Sequence, residues 1–174
     1  MNQWQWPAGQ IVLACLLLLP GCAATEHAAA VPYSITFNVA ADVNPDLNRK
    51  PAPIVLKVFQ LKTTSAFDGA DFFSLQGKPD EALAGALLGV DRVILRPGES
   101  RTLRYPGSVD ARAVGVVAEY RSLEQNRWKM SVPLPQAKQL NFYRFWQTSP
   151  SEMKVTIAVR NGGLAIGDDT RGRQ

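Results

Sequence analysis

The chain has 174 residues, 46% of them hydrophobic and 20% charged. That suffices for one domain with its own core, is short for two, and lies far from the charged, apolar-poor composition of a disordered chain. Its 19 basic and 15 acidic side chains leave a net charge of +4, and only Arg49-Lys50 places two basic residues side by side. A nucleic-acid binder clusters its cations, so nucleic acid is not expected as a partner.

The first element is an address. Residues 11–19 read IVLACLLLL, nine apolar residues that fit the core of a signal peptide and are too few to span a bilayer. Leu19-Pro20-Gly21-Cys22 follows and resembles the lipobox of bacterial lipoproteins. That resemblance implies cleavage before Cys22, diacylglycerol on its thiol and acylation of its new amine. The absence of Lys and Arg from residues 1–10 departs from the usual signal pattern. The alternative is a plain secretory signal with Cys22 as a leftover thiol. Cys15 falls in the discarded segment, so Cys22 is the single mature cysteine and no internal disulfide is expected. Ala23 stands where Asp retains lipoproteins at the inner membrane, which by the same resemblance points to the outer membrane. The expected organisation is a signal peptide over 1–21, a lipidated Cys and tether over 22–32, a domain over 33–167 and a polar tail over 168–174. A ten-residue tether extends about 33 Å at most.

The domain reads as strands. Tyr33, Ile35, Phe37 and Val39 alternate with Ser34, Thr36, Asn38 and Ala40, the period of a half-buried strand. IVLKVFQL, residues 54–61, is more continuously apolar, as for a strand buried on both faces. Phe67, Phe72, Phe73 and Leu75 predict a short helix. Pro79-Asp80-Glu81 opens a second, with Leu83, Ala84, Leu87 and Leu88 on its apolar side and Gly89 as its C-cap. Strands resume at Val93 and Leu95, before a Pro97-Gly98 turn, and at Leu103 and Tyr105. Further apolar faces are Val114, Val116, Ala118 and Tyr120, then Trp128, Met130, Val132 and Leu134, then Met153, Val155, Ile157 and Val159. Asn161-Gly162 marks a closing turn. About seven strands, most of them one-sided, predict a mainly β, two-sheet antiparallel sandwich with short helical insertions between its second and third strands; a closed barrel is the alternative. LNFYRFW, residues 140–146, fits either a strand or an aromatic plug.

Catalytic equipment is sparse. The one His, His27, lies in the expected tether, so a triad or a zinc site lacks its usual ligands. Asp68 and Asp71 are spaced to share a helix face, as a paired-carboxylate hydrolase would require; a solvated helix edge is the simpler reading. Asp42, Asn44 and Asp46 alternate like calcium ligands but lack the Gly and closing Glu of that loop. No enzyme activity, metal or dissociable cofactor is expected, only the covalent lipid on Cys22.

One loop stands apart. Residues 41–53, ADVNPDLNRKPAP, are too many for a tight hairpin, and three prolines stiffen them. Two acids followed by two bases suit docking to a protein. A plain connector between sheets would also fit.

Asn44-Pro45-Asp46, Lys50-Pro51-Ala52-Pro53 running into IVLKVFQLK, Phe67, DFFSL at 71–75, Pro97-Gly98-Glu99, VGVVAEYR at 114–121 and Trp128 occur in this order. Together with the lipobox they resemble the TssJ (VasD/Lip) family, outer-membrane lipoproteins of the bacterial type VI secretion system. Where that family often has Gly-Arg before the proline, this chain has Arg49-Lys50. The resemblance implies a transthyretin-like sandwich on the periplasmic face of the outer membrane. It implies docking to the periplasmic C-terminal region of TssM, in an assembly that includes TssL. The contact carried over is Asp42, Val43, Asn44, Pro45, Asp46, Leu47, Asn48, Arg49 and Lys50. The rival reading is a periplasmic glycan-binding sandwich using the aromatics of 142–146.

Cys22→Ser should abolish lipid attachment. Radiolabelled palmitate incorporation and membrane fractionation check this; a Cys22→Ser chain that stays membrane-bound would count against the anchor.

Overall fold

Apolar residues at every second position give a strand one face for the core, and β2 (Tyr33–Val39) shows it plainly. Tyr33, Ile35, Phe37 and Val39 are buried in the main core, while Thr36 and Asn38 point away. The computed structural model describes residues 27–136, 138–140 and 152–167. Leading up to β2, His27–Ala29 forms a strand, β1, within the segment expected to be a tether. The remaining strands are β3 (Ile54–Leu61), β4 (Leu87–Leu95), β5 (Ser100–Tyr105), β6 (Ala113–Ala118), β7 (Lys129–Pro133), β8 (Lys138–Leu140), β9 (Met153–Arg160) and β10 (Gly163–Ile166). Two four-stranded sheets result, ordered β10-β9-β2-β5 and β4-β3-β6-β7, with β1 and β8 paired separately. This is the expected sandwich and not a closed barrel. One pairing differs from expectation: β2 and β9 run parallel, with Tyr33 opposite Met153 and Val39 opposite Val159. They are distant in sequence, so no hairpin forces them antiparallel.

The main core joins the inner faces of both sheets, Ile54, Leu56 and Val58 from β3 meeting Ile35, Phe37 and Ile157. β3 is buried on both sides, as its apolar run predicts, because a second cluster takes Phe59 and Leu61 on the outer face. That cluster is closed by three short helices: α1 (Ser65–Gly69), α2 (Phe72–Gly77) and α3 (Pro79–Leu83). They supply Phe67, Phe72, Leu75 and Leu83, and β6 contributes Ala113 and Val117. Phe73, in the same helix as Phe72, is exposed. Trp128 packs against both clusters and meets Phe72 edge-on at 5.4 Å. The insertion is clamped by Lys129, whose ammonium donates to the carbonyls of Phe67, Asp68 and Ala70 at 3.1, 2.6 and 2.7 Å. Burial lowers its pKa.

The predicted helix over 79–89 is corrected. It ends at Leu83, a 3-10 turn covers Ala84–Ala86, and Leu87 already belongs to β4. Ala84, at φ +46°, ψ −139°, cannot continue a helix. Leu87 and Gly89 pair with Leu61 and Gln60 of β3, and that ladder overrides a short run of good helix formers. No helix among the described residues is long and apolar enough to cross a membrane.

The strand directions give the sandwich two poles. The end of β2, the start of β3, the β4–β5 turn, the β6–β7 connection and the β9–β10 turn share one pole. The chain enters at the opposite pole, where Tyr33 lies opposite Tyr105 and Met153. The seven residues of β2 separate the poles by roughly 23 Å.

Gly115 lies flat beneath Phe67, and a Cβ there would come within 2.6 Å of the ring. Gly115→Ala should therefore destabilise the domain by about 1–3 kcal/mol through overpacking. Urea denaturation should show a lowered midpoint with an unchanged slope.

Candidate docking site

The loop from Val39 to Ile54 crosses from one sheet to the other, so it cannot close as a hairpin. Its shape comes from side chains. Val43 is fully buried and folds the loop's base into the core. Asn44 is buried with φ +49°, a left-handed conformation that Asn tolerates better than most residues. Its Nδ2 donates to the Pro53 carbonyl at 3.0 Å, and its Oδ1 accepts from the Arg121 amide at 2.9 Å. The first bond closes the loop on itself, and the second ties it to the β6–β7 connection.

Asp46 shapes the tip. Its Oδ1 accepts from the amides of Asn48 and Lys50, each at 2.8 Å. Its own amide donates to the Lys50 carbonyl, and the Arg49 amide donates to the Asp46 carbonyl, both at 2.9 Å. A carboxylate engaged this way, flanked by Pro45 and Pro51, leaves little freedom to lose on binding. The turn thrusts Leu47 fully into solvent, with Asn48, Arg49 and Lys50 exposed around it. Arg49 sits at φ +60°, the left-handed region that glycine occupies without cost. The substitution noted in the sequence, Arg where the family often has Gly, thus falls on a backbone that still has the glycine-type conformation.

Neighbouring connections brace the loop. Tyr120 donates its hydroxyl to the Arg160 carbonyl at 3.0 Å, and burial pushes its pKa up, so it remains a donor. Asn126 accepts from the Gly162 amide at 2.6 Å. Between loop and braces lies a cleft of about 320 Å³, lined among others by Asp42, Arg49, Arg121, Gln125, Asn126 and Asn161.

The structure thus brings Asp42 to Lys50 into one braced feature, though Val43 and Asn44 face inward. Both shape the loop from within. Asn44 Oδ1 accepts from the Arg121 amide of the β6–β7 connection, and Asp46 Oδ1 from two of the loop's own amides. Asp68 and Asp71 belong to different elements, which corrects the shared helix face. Asp71 caps α2 by accepting from the Ser74 amide and hydroxyl, which lowers its pKa, and Asp68 accepts from the Ser131 hydroxyl. Arg121 and Tyr120 were missed in the sequence as site residues. Cys22 and the aromatics of 142–146 lie outside the described residues.

The fold is thus a two-sheet sandwich that presents a braced, proline-stiffened loop from one pole. The sequence profile of the type VI secretion lipoproteins (VasD, EvfM, TssJ) matches residues 32–162, and the chain belongs to that family. Its fold is similar to that of Serratia marcescens Lip, described as a membrane-bound component of the type VI secretion system. The two share 36% identity over 82% of this chain and 99% of Lip, with a TM-score of 0.72. TssJ1, the type VI lipoprotein of Pseudomonas aeruginosa, is 26% identical over 79% of this chain and 95% of its own, with a TM-score of 0.69. A chain of a type VI membrane complex shares the fold at 22% identity, over 80% of this chain and 99% of its own, with a TM-score of 0.66. No curated protein matches the sequence.

Asn44→Ala should cost about 2 kcal/mol or more, because the Arg121 amide and the Pro53 carbonyl lose their partner. Arg49→Gly should raise stability by up to about 1 kcal/mol by relieving the left-handed backbone. Denaturation midpoints of the two variants should move in opposite directions.

Proposed function

We propose that this protein is a structural, non-catalytic lipoprotein of the type VI membrane complex, held in the outer membrane by lipid on Cys22 with its domain in the periplasm. Residues 42–50 dock onto the periplasmic C-terminal region of TssM, within an assembly that also contains TssL. One observation carries the docking reading: a fully exposed Leu47 at the tip of a loop whose backbone is fixed by Asn44 and Asp46. Solvent-exposed leucine on a stiff loop is a poor device for stability and a good one for recognition. Family membership and the likeness to a chain of a type VI membrane complex support the setting. The polarity of the fold is compatible with it, since the N-terminal chain enters at the pole opposite the loop.

Calorimetry of the full-length chain in detergent against the periplasmic region of the same bacterium's TssM tests the proposal. The intact chain should bind, and a chain with residues 42–50 replaced by a Gly/Ser linker should not. An intact chain that fails to bind overturns the partner; a linker variant that binds as well as the parent overturns the loop.

A further inference from the structure

Resting on that docking reading, we infer that the recognition surface has two halves, with Arg121 of the β6–β7 connection as the charged half and Leu47 as the apolar one. The partner segment it fits presents an apolar socket for Leu47 and, beside it, a carboxylate that enters the cleft between Arg49 and Arg121. The loop is not an isolated finger, because Asn44 bonds the Arg121 amide 77 residues away in sequence. Tyr120 and Asn126 fasten the same connection to the β9–β10 turn. Two stretches held in fixed relation present their surfaces together, so a partner that covers Leu47 also meets the cleft.

Charge sets the chemistry of the second half. The ion pairs among the described residues are Lys57–Glu119, Lys78–Glu81 and Arg101–Glu99. Arg49 and Arg121 therefore both line the cleft without an ion-pair partner there, against the single acid Asp42. A guanidinium recognises a carboxylate through paired hydrogen bonds. Gln125, Asn126 and Asn161 add amide groups to the same walls. At about 320 Å³ the cleft lies at the lower end of small-molecule pockets and takes a side chain or two.

The test is binding of full-length variants in detergent to the TssM periplasmic region at low and high salt. Arg121→Glu keeps the backbone amide that Asn44 uses; it should weaken binding about tenfold or more and flatten the salt dependence. Leu47→Ala should weaken binding by a similar factor and leave the salt dependence unchanged. Lys154→Glu makes the same charge change at the opposite pole and should bind like the parent. Thermal melts verify folding, and Arg121→Gln provides a milder version of the charge loss. If Arg121→Glu and Lys154→Glu behave alike, the cleft plays no part. If the linker variant fails to bind but Leu47→Ala and Arg121→Glu bind like the parent, the docking reading stands and this inference falls. An intact chain that does not bind removes both.

Discussion

Where chain leaves the two sheets, its backbone amides and carbonyls lose their ladder partners, and at the loop pole side chains must replace them. An unsatisfied buried polar group costs about 1–3 kcal/mol. Asn44, Tyr120 and Asn126 meet this demand, each spanning two connections or closing one on itself. The loop's conformation is thereby fixed by the same accounting that stabilises the fold. Asn44 suits its place for two reasons at once. Its amide offers both a donor and an acceptor, and its backbone tolerates the left-handed turn that leads into Pro45. Neither Asp, which lacks the donor, nor Ser, which is too short to span both bonds, meets these requirements together.

The other sheet face solves a different problem. β6 is buried on both sides, with Val114 and Val116 in the main core and Ala113 and Val117 in the second cluster. A sandwich of two sheets covers only the first side. The three helices cover the second, and the shortness of α1 leaves backbone carbonyls at its C-terminal end with acceptor capacity to spare. Lys129 gathers three of them and lies over the Trp128 and Phe67 rings at 5.1 and 5.9 Å. Desolvation lowers its pKa, while the nearby Asp68 and Asp71 carboxylates pull the other way. Gly115 completes the arrangement, since only a residue without a Cβ lets Phe67 rest on the strand.

Much of this was legible in the sequence because period-two alternation is a property of one strand alone. Tyr33 to Val39 and Met153 to Val159 read correctly for that reason, and the unbroken apolar run of β3 announced its second buried face. Leu83 to Gly89 misled because Leu and Ala at helical spacing look the same whether or not a neighbouring strand claims them. The loop's stiffness was visible in its prolines. The work of Asn44 was not, because its partner Arg121 is distant in sequence, and a buried amide and a possible metal ligand are written with the same letter. Arg121 carried no local signal for the same reason; only the meeting of two connections gives it a place in the site.

The order of elements along the chain bears on the proposed role. In the proposed role the two attachment points, Cys22 and residues 42–50, stand on either side of β2 in sequence, so tension between them would run along that strand. β2 is not an edge. It is bonded to β5 on one side and to β9 on the other, with registers that span nearly its whole length. Pulling a central strand along its own axis loads those ladder bonds together in shear. An edge strand peeled from one end would break them one after another. The parallel pairing with β9 adds to this, because β9 turns at Asn161-Gly162 into β10 and is tied through Asn126 to the connection that carries Arg121. A pull arriving at the loop therefore meets the ladders of β2 and, through Asn44 and the β6–β7 connection, both sheets.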